Sequence, residues 1–259
     1  MAKGGSNEVV LEAVSYIHRL GKGSSRPRPH LFTCNDGQKY AVRLMIDNKS
    51  IRPLVNEFVA YRLAERLDLP VPKTSIVHVS DNLIQNSSRF PKNIVPGNHF
   101  GSFYYIDTIL PTKKSIFRCR NVDKIADMLL FDIWINNRDR NLTNILVRKK
   151  KQDYQLILID HDKVFNHRDW KGENLIKNMS ENKLEYRWGR NQKYFRNFIN
   201  SKAAVKKSLR RIEALPKSEI AFIVNAIPKE WCVSSKERNT LVRFLELRKF
   251  RLGKVVNRF

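Results

Sequence analysis

Asp132-Ile-Trp-Ile-Asn-Asn-Arg-Asp-Arg-Asn-Leu-Thr-Asn144 is the stretch of sequence around which the chain is organised. Before and into it, residues 121–135 repeat apolar side chains at helical spacing, and Asn121 is a favourable N-cap, so a helix is predicted there. After it, two short apolar runs at 145–147 and 154–159 flank a polar stretch, a pattern that predicts a β-hairpin. The sequence therefore predicts a helix, a polar loop and a hairpin in direct succession.

The predicted hairpin has a geometric consequence for three oxygen-bearing side chains. Asn144 begins its first strand and Asp160 ends its second, so antiparallel pairing brings these two residues alongside each other. Asp139 lies in the loop that leaves the helix. Two carboxylates and an amide in this arrangement suit a hard cation with oxygen ligands, and the loop carboxylate is then free to orient or deprotonate a hydroxyl. Phosphoryl transfer needs these parts, because its catalysis consists mostly of positioning and charge neutralisation.

The same residues carry a resemblance to a known family. Asn137-Arg-Asp-Arg-Asn-Leu-Thr-Asn144, followed by Ile159-Asp-His161, resembles the catalytic loop and metal loop of the protein-kinase-like superfamily. It is most similar to the HipA-like kinases, whose loop reads D-x-x-x-x-N, and more remotely to phosphoinositide lipid kinases. The resemblance implies that Asp139 is the catalytic base and that Asn144 and Asp160 are magnesium ligands. Without it, these would be capping and turn residues of an ordinary helix-hairpin unit.

A second set of candidate residues lies in the first half of the chain. Gly23, Ser24 and Ser25 belong to a Gly- and Ser-rich segment before a predicted hairpin, where main-chain N–H groups can bind phosphates, and the family has its phosphate-covering loop here. Arg43 occupies the strand position at which relatives carry a phosphate-contacting lysine, and Glu57 resembles the glutamate that pairs with this cation. Arginine keeps the charge but has a planar fork, so either it binds the phosphates bidentately or ATP use is altered. From the residues alone, the segment around Gly23 could be an ordinary polar loop, and Arg43 and Glu57 could be ordinary surface side chains.

The net charge of +24 on 259 residues is the outlying feature of the composition. Residues 1–110 carry 14 basic and 9 acidic side chains, whereas the remainder carries 35 and 16. Such a surface attracts polyanions, so nucleic acid is an expected partner, bound through the basic second half. A protein substrate is a further expected partner, which the resemblance implies. Basic and aromatic residues alternate at 183–211, which suits nucleic acid, although a cationic amphipathic helix is the simpler explanation. A solvated basic face accounts for the charge equally well.

The remaining composition is that of a globular protein, which we expect in the cytoplasm. The hydrophobic fraction of 42% is enough for a core. No apolar run approaches the roughly 20 residues of a membrane span. The three cysteines are far apart in sequence, so they predict neither a zinc site nor a disulfide framework and fit a reducing compartment.

The spacing of apolar residues predicts a strand-rich first part and a helical second part. Strands are predicted at 30–34, 40–45 and 74–79, helices at 54–67, 218–227 and 236–256, and residues 8–20 fit either. Together with the resemblance, this order implies an α+β, two-lobed protein-kinase-like fold. A strand-rich N-terminal lobe would comprise residues 1–110, and a mostly helical C-terminal lobe residues 111–259.

The resemblance implies an ATP- and magnesium-dependent phosphotransferase of the HipA-like type. Its acceptor would be the hydroxyl of a serine or threonine in a protein. A small-molecule kinase is one alternative, because kinase-like folds also phosphorylate sugars and antibiotics. A second is a non-catalytic module that binds nucleic acid, because Arg43 and Asp162 depart from the usual pattern. A third is a metal-dependent nuclease built on Asp139, Asp160 and Asp162.

Overall fold

The computed structural model describes most of the chain in two compact units. The described residues are 10–21, 28–46, 51–87, 89–91, 93–165, 167–180, 190–199 and 201–256. One unit consists of Met1–Leu54 and Pro72–Tyr105, and the other of Val55–Val71 and Ile106–Phe259.

The first unit contains a closed five-stranded barrel. Its strands are β1 (Val10–Arg19), β2 (His30–Cys34), β3 (Lys39–Arg43), β4 (Thr74–Val79) and β5 (Gly97–Phe103), and a short helix, α2 (Asp81–Gln85), follows β4. The order around the barrel is β1-β2-β3-β5-β4, and β1 closes it by pairing with β4 in parallel. The segment 8–20, which the sequence left open, is therefore a strand from Val10 onward.

Alternating side chains fill the barrel. Phe32, Tyr40, Val42 and Val77 are almost completely buried within one apolar cluster, because every second residue of a strand points to the same face. Gly101 on β5 lies against β4 so closely that a Cβ there would meet the Val77 side chain at 2.5 Å. A larger residue at this position would therefore displace the Val77 side chain.

The second unit is mostly helical and includes a three-stranded antiparallel sheet. The sheet has the order β6 (Thr108–Ile109), β7 (Ile145–Lys150), β8 (Asp153–Leu158). The helices are α1 (Ile51–Arg66, which belongs to this unit from Val55 onward), α3 (Lys113–Phe117), α4 (Lys124–Trp134), α5 (Gly172–Ser180), α6 (Arg190–Arg196), α7 (Lys202–Glu213), α8 (Lys217–Asn225), α9 (Ser235–Arg251) and α10 (Gly253–Val256). Helix α4 is buried along most of its length and packs against α7, while α9 packs against α5 and α8.

The start of α4 corrects one sequence prediction. Asn121 was expected to be the N-cap, but the helix begins at Lys124 and the preceding Asp123 makes no side-chain cap bond. The Asn121 amide instead donates to the Leu156 carbonyl and accepts from the Leu156 amide, both at 2.9 Å. The Asn121 side chain thereby pairs with Leu156 on β8 as a peptide group of a neighbouring strand would.

Two basic segments are also more divided than their sequence pattern predicts. The described part of 183–211 forms two helices, α6 and α7, rather than one, and residues 183–189 lie outside the described part. The final predicted helix, 236–256, is interrupted at Leu252, between α9 and α10. In the described ranges, no helix is both long and apolar enough to cross a bilayer.

Candidate active site

The loop after α4 presents Asp139 on a fixed main chain. Asn136 has a left-handed backbone, φ +58°, as the chain leaves the helix. The Asn137 side chain donates to Asp132 Oδ1 at 2.8 Å and accepts the Asp139 amide at 3.0 Å. The Asp139 side chain is 37% exposed, and its Oδ2 lies 2.6 Å from Lys163 Nζ. The partly exposed Asp139 carboxylate therefore extends from a main chain that hydrogen bonds hold in place.

Asn144 lies beside Asp139 at the start of β7. A turn of 3-10 helix, Leu142–Asn144, brings it there. Its Nδ2 donates to the Asp139 carbonyl at 2.8 Å, and this donor role identifies the other amide atom as the oxygen. That oxygen lies 3.3 Å from the Thr143 hydroxyl, whose single proton has a nearer acceptor in Asn141 Oδ1 at 2.5 Å. An amide oxygen of this kind is suited to a hard cation.

Asp160 follows β8, next to Asn144, as the predicted hairpin requires. Ile145 pairs with Leu158, and the Ile159 amide donates to the Asn144 carbonyl at 3.1 Å. Asp160 itself has φ +59°, a conformation that costs a residue with a Cβ about 1–2 kcal/mol. Such residues persist where the surrounding structure holds them, and they concentrate at functional sites.

Arg140 joins the loop to both strand ends from a fully buried position. Its Nε and Nη2 contact the two oxygens of Asp132 at 2.9 and 3.1 Å, and both side chains are 0% exposed. Its Nη1 donates to the carbonyls of Asn144 and Ile159, at 2.7 and 3.0 Å. Its Nη2 also lies 2.8 Å from His161 Nε2. The Arg140 guanidinium thus fixes the main chain at Asn144 and immediately before Asp160, the two candidate metal ligands.

Burial and the charge on Arg140 set the protonation of this cluster. Burial, and then the Arg140 charge, hold the pKa of His161 well below its usual value, so its Nε2 is an acceptor. Burial opposes the charge of Arg140, but the charge and hydrogen bonds of Asp132 outweigh it and raise the pKa of Arg140. Burial also raises the pKa of Tyr61 well above its usual value. The Tyr61 ring lies edge-on to the His161 ring, with 4.9 Å between the ring centroids. The cluster combines a charged pair with a neutral imidazole and a neutral phenol.

The chain after β8 is fastened to α1 by Asn56. Its Nδ2 donates to the carbonyls of Asp162, Val164 and His167, at 2.7, 3.4 and 3.1 Å. Its Oδ1 accepts from Trp170 Nε1 at 2.7 Å. The side chain is completely buried, so these bonds are shielded from water.

Two acidic residues complete the support of this segment. Glu57 on α1 accepts the His161 amide at 3.0 Å. Asp162, which is buried, forms an ion pair with Arg168. Asp162 therefore holds the segment that follows it.

Comparison with known families gives a match over nearly the whole chain. The model of the HipA-like kinase family matches residues 14–252. The chain belongs to the HipA-like kinase family. The resemblance drawn from the catalytic and metal loops is thus confirmed.

Solved structures with a similar fold are also kinases. The Helicobacter pylori proinflammatory kinase CtkA is similar with a TM-score of 0.65 and 14% identity, over 96% of this chain and 97% of that one. The Golgi casein kinase, in a structure with Mn and ADP bound, is similar with a TM-score of 0.52 and 12% identity, over 96% of this chain and 74% of that one. At these identities the likeness concerns the fold, which is kinase-like. Among curated proteins, none matches the chain in sequence.

The structure describes only some of the residues predicted to bind the nucleotide in this HipA-like kinase. Gly23, Ser24 and Ser25 lie outside the described residues. Arg43 is buried at the end of β3, in the first unit, and Glu57 is buried on the part of α1 that belongs to the second. The ion pair between Arg43 and Glu57 stays a prediction.

The donor set at Asn144 and Asp160 fits a magnesium ion. In the described part of the chain, no cluster of three His, Cys, Asp or Glu side chains could hold a metal by itself. An amide oxygen and a carboxylate are nonetheless the hard donors that magnesium prefers. Magnesium commonly takes one or two protein ligands and completes its shell with phosphate and water oxygens, so two donors are sufficient.

Sequence reasoning missed three residues that build the site. Arg140 lies in the central stretch, eight positions after Asp132, and this charged pair beside an apolar helix was an available signal. Asn56 belongs to the Asn56-Glu57 pair that resembles the family pattern, but nothing in the sequence indicated its contacts, and Lys163 gave no signal. Their roles depend on contacts between segments far apart in the chain.

Proposed function

We propose that this kinase transfers the γ-phosphoryl group of ATP, with magnesium, to a hydroxyl, and that the acceptor is a serine or threonine of a protein. The observation that carries the proposal is the hydrogen-bonded arrangement of Asp139, Asn144 and the chain entering Asp160 around buried Arg140. Family membership supports phosphoryl transfer in general, and the resemblance supports the protein acceptor.

In this proposal each side chain has one task. Asp139 orients the acceptor hydroxyl and accepts its proton, which its partial exposure permits. Asn144 Oδ1 and the Asp160 carboxylate would hold magnesium. When bound, the ion neutralises negative charge on the phosphates.

The phosphate-binding side of the proposal rests on the sequence. The main-chain amides around Gly23, Ser24 and Ser25, and the guanidinium of Arg43 held by Glu57, would contact the phosphates. These groups would belong to an N-terminal lobe, 1–110, and the residues around Asp139 to a C-terminal lobe, 111–259. A cytoplasmic location likewise stays a prediction.

Replacing the catalytic carboxylate tests the proposal. Asp139→Asn should leave the affinity for ATP within about threefold of wild type but lower kcat by about 100-fold or more, because the proton acceptor is lost while the ion ligands stay. Phosphoryl transfer from labelled ATP, with protein and small-molecule acceptors in parallel, measures this and separates the two acceptor classes. Undiminished turnover by Asp139→Asn would remove this residue from the mechanism.

Nucleic-acid binding is a second candidate function, favoured by the exposed face of α7. That face carries Lys202, Lys206, Lys207 and Arg210, all exposed. A row of cations of this kind neutralises phosphates without reading sequence, so its affinity should fall steeply with salt. Thermal stabilisation by RNA or DNA, with no stabilisation by ATP and magnesium, would favour this function over phosphoryl transfer.

A further inference from the structure

The carboxylate of Asp139 has a cationic partner that comes from outside its own loop. Lys163 Nζ lies 2.6 Å from Asp139 Oδ2, and Lys163 follows Asp160 by three residues. The Lys163 side chain is 17% exposed. The contact therefore joins the proposed base to the segment that carries the proposed metal ligand, at a place that is partly exposed to solvent.

Lys163 stands on a main chain that is fastened on both sides. The carbonyls of its two neighbours, Asp162 and Val164, both accept hydrogen bonds from the buried Asn56 amide. Two residues further on, the Phe165 amide donates to the carbonyl of Ile135, at the end of α4. The base of the lysine side chain is thus fixed, which limits the region that its ammonium can reach.

The neighbouring arginines are committed to other contacts. Arg140 is completely buried, and its nitrogens contact Asp132, two main-chain carbonyls and His161. Arg168 pairs with buried Asp162. Of these three cations, Lys163 is the one in contact with Asp139.

We propose that Lys163 is a positioning residue that sets the orientation of the Asp139 carboxylate for phosphoryl transfer; this rests on the proposed function. The main chain of Asp139 is fixed by Asn137 and Asn144, but these bonds leave its side-chain torsions free. Lys163 holds Oδ2 and thereby turns Oδ1 towards the acceptor. In the transfer step the hydroxyl oxygen bonds to the γ-phosphorus and the bond from phosphorus to the ADP oxygen breaks. The hydroxyl proton passes to Asp139 Oδ1.

A double-mutant cycle on kcat tests the proposal. Lys163→Met should lower kcat by about 100-fold, with KM for ATP within about threefold, because the base is present but no longer oriented. The Asp139→Asn/Lys163→Met double variant should be no more than about threefold slower than Asp139→Asn alone, since the lysine acts through the carboxylate. Lys163→Arg, which keeps the charge, should have a kcat at least about tenfold higher than that of Lys163→Met. Lys150→Met, on the exposed end of β7, serves as the control and should match wild type.

The outcomes separate the two proposals. Losses that multiply in the double variant, or a Lys163→Met enzyme with wild-type kcat, would overturn the role of Lys163 while leaving the kinase intact. A wild-type protein that neither binds ATP nor transfers phosphate would overturn both. Thermal unfolding of each variant shows whether it folds, and Lys163→Gln, which is close in length and uncharged, replaces Lys163→Met if that variant does not.

Discussion

At the scale of single residues, Arg140 connects the loop to both strand ends of the site. Its contacts with Asp132, Asn144 and His161 are buried, and its contact with the Ile159 carbonyl is partly buried. A buried charge is tolerated only with a partner, so removing either member of the Arg140–Asp132 pair leaves the other uncompensated. The pair is therefore expected to specify this one arrangement of the loop.

Replacing Arg140 should destabilise the protein strongly. Arg140→Met leaves Asp132 buried without its cation and removes one donor from each of two carbonyls, so we expect a loss of about 3–5 kcal/mol in the free energy of unfolding. Arg138→Met, at the exposed position two residues earlier, should change it by less than about 0.5 kcal/mol. Denaturant titration measures both. A loss below about 1 kcal/mol for Arg140→Met would contradict this account of the buried pair.

What the sequence predicts at this scale depends on distance along the chain. The proximity of Asn144 to the chain entering Asp160 follows from one hairpin, and the position of Asp139 from one loop, so local patterns were sufficient. The supporting contacts of Asn56 and Lys163 join segments that no local period connects. They became visible only in three dimensions.

At the scale of elements, the end of α4 is capped by a distant helix. Arg248 on α9 donates through Nε to the carbonyl of Trp134 at 2.7 Å, and through Nη2 to that of Ile133. The last carbonyls of a helix lack partners within it, and a cation there also complements the helix dipole. Because the proposed catalytic loop begins immediately after α4, this cap fixes the point from which the loop departs.

Removing that cap should loosen the start of the catalytic loop. Arg248→Met should lower the free energy of unfolding by about 2–3 kcal/mol, since two carbonyls lose a charged donor. Hydrogen exchange should accelerate at the amides of Ile135, Asn136 and Asn137, which bond to carbonyls of α4. Arg243→Met, on the exposed face of the same helix, is the matched control. Equal exchange rates in both variants would show that Arg248 does not hold the end of α4.

The error at Asn121 has a physical origin at this scale. An asparagine before an apolar helical run has the features of an N-cap, and these features are local. The same amide carries a donor and an acceptor spaced like those of a peptide, so it can equally bond to a strand edge. The carbonyl and amide of Leu156 on β8 supply that edge, and the tertiary contact prevails over the local preference.

At the scale of the whole molecule, the sequence predicted the individual strands better than the closure of these strands into a barrel. The strands at 30–34 and 74–79 have the predicted bounds, and β2 and β3 pair antiparallel as the predicted hairpin. The parallel pairing of β1 with β4 has no local signature, because the two strands are separated by three other elements. The barrel is therefore a property of the assembled unit.

The barrel should make stability dependent on pH through its buried histidines. Burial lowers the pKa of His99 to about 4, and the Met45 amide donates to its Nδ1 at 2.9 Å. In the unfolded chain the imidazole protonates near its ordinary pKa of about 6.5. The unfolded state therefore binds more protons between these values, and stability falls as the pH decreases from about 6.5 to about 4.

Substituting this histidine should reduce the pH dependence. His99→Asn keeps an acceptor for the Met45 amide but does not titrate, so its free energy of unfolding should change less with pH, by up to about 1.4 kcal/mol per pH unit in this window. His18→Asn, at an exposed position on β1, is the control. Denaturant titrations at several pH values measure the slopes. An unchanged slope for His99→Asn would show that this group does not contribute.

The proposed mechanism requires that Asn144 and Asp160 hold one divalent ion against the phosphates of ATP, and equilibrium binding of ATP with and without magnesium tests this most directly. We expect magnesium to tighten ATP binding by wild type at least about tenfold and to have little effect on Asp160→Ala, which lacks the carboxylate ligand. If Asp160→Ala keeps the full magnesium dependence of wild type, the proposed metal site, and the phosphotransferase mechanism built on it, are contradicted.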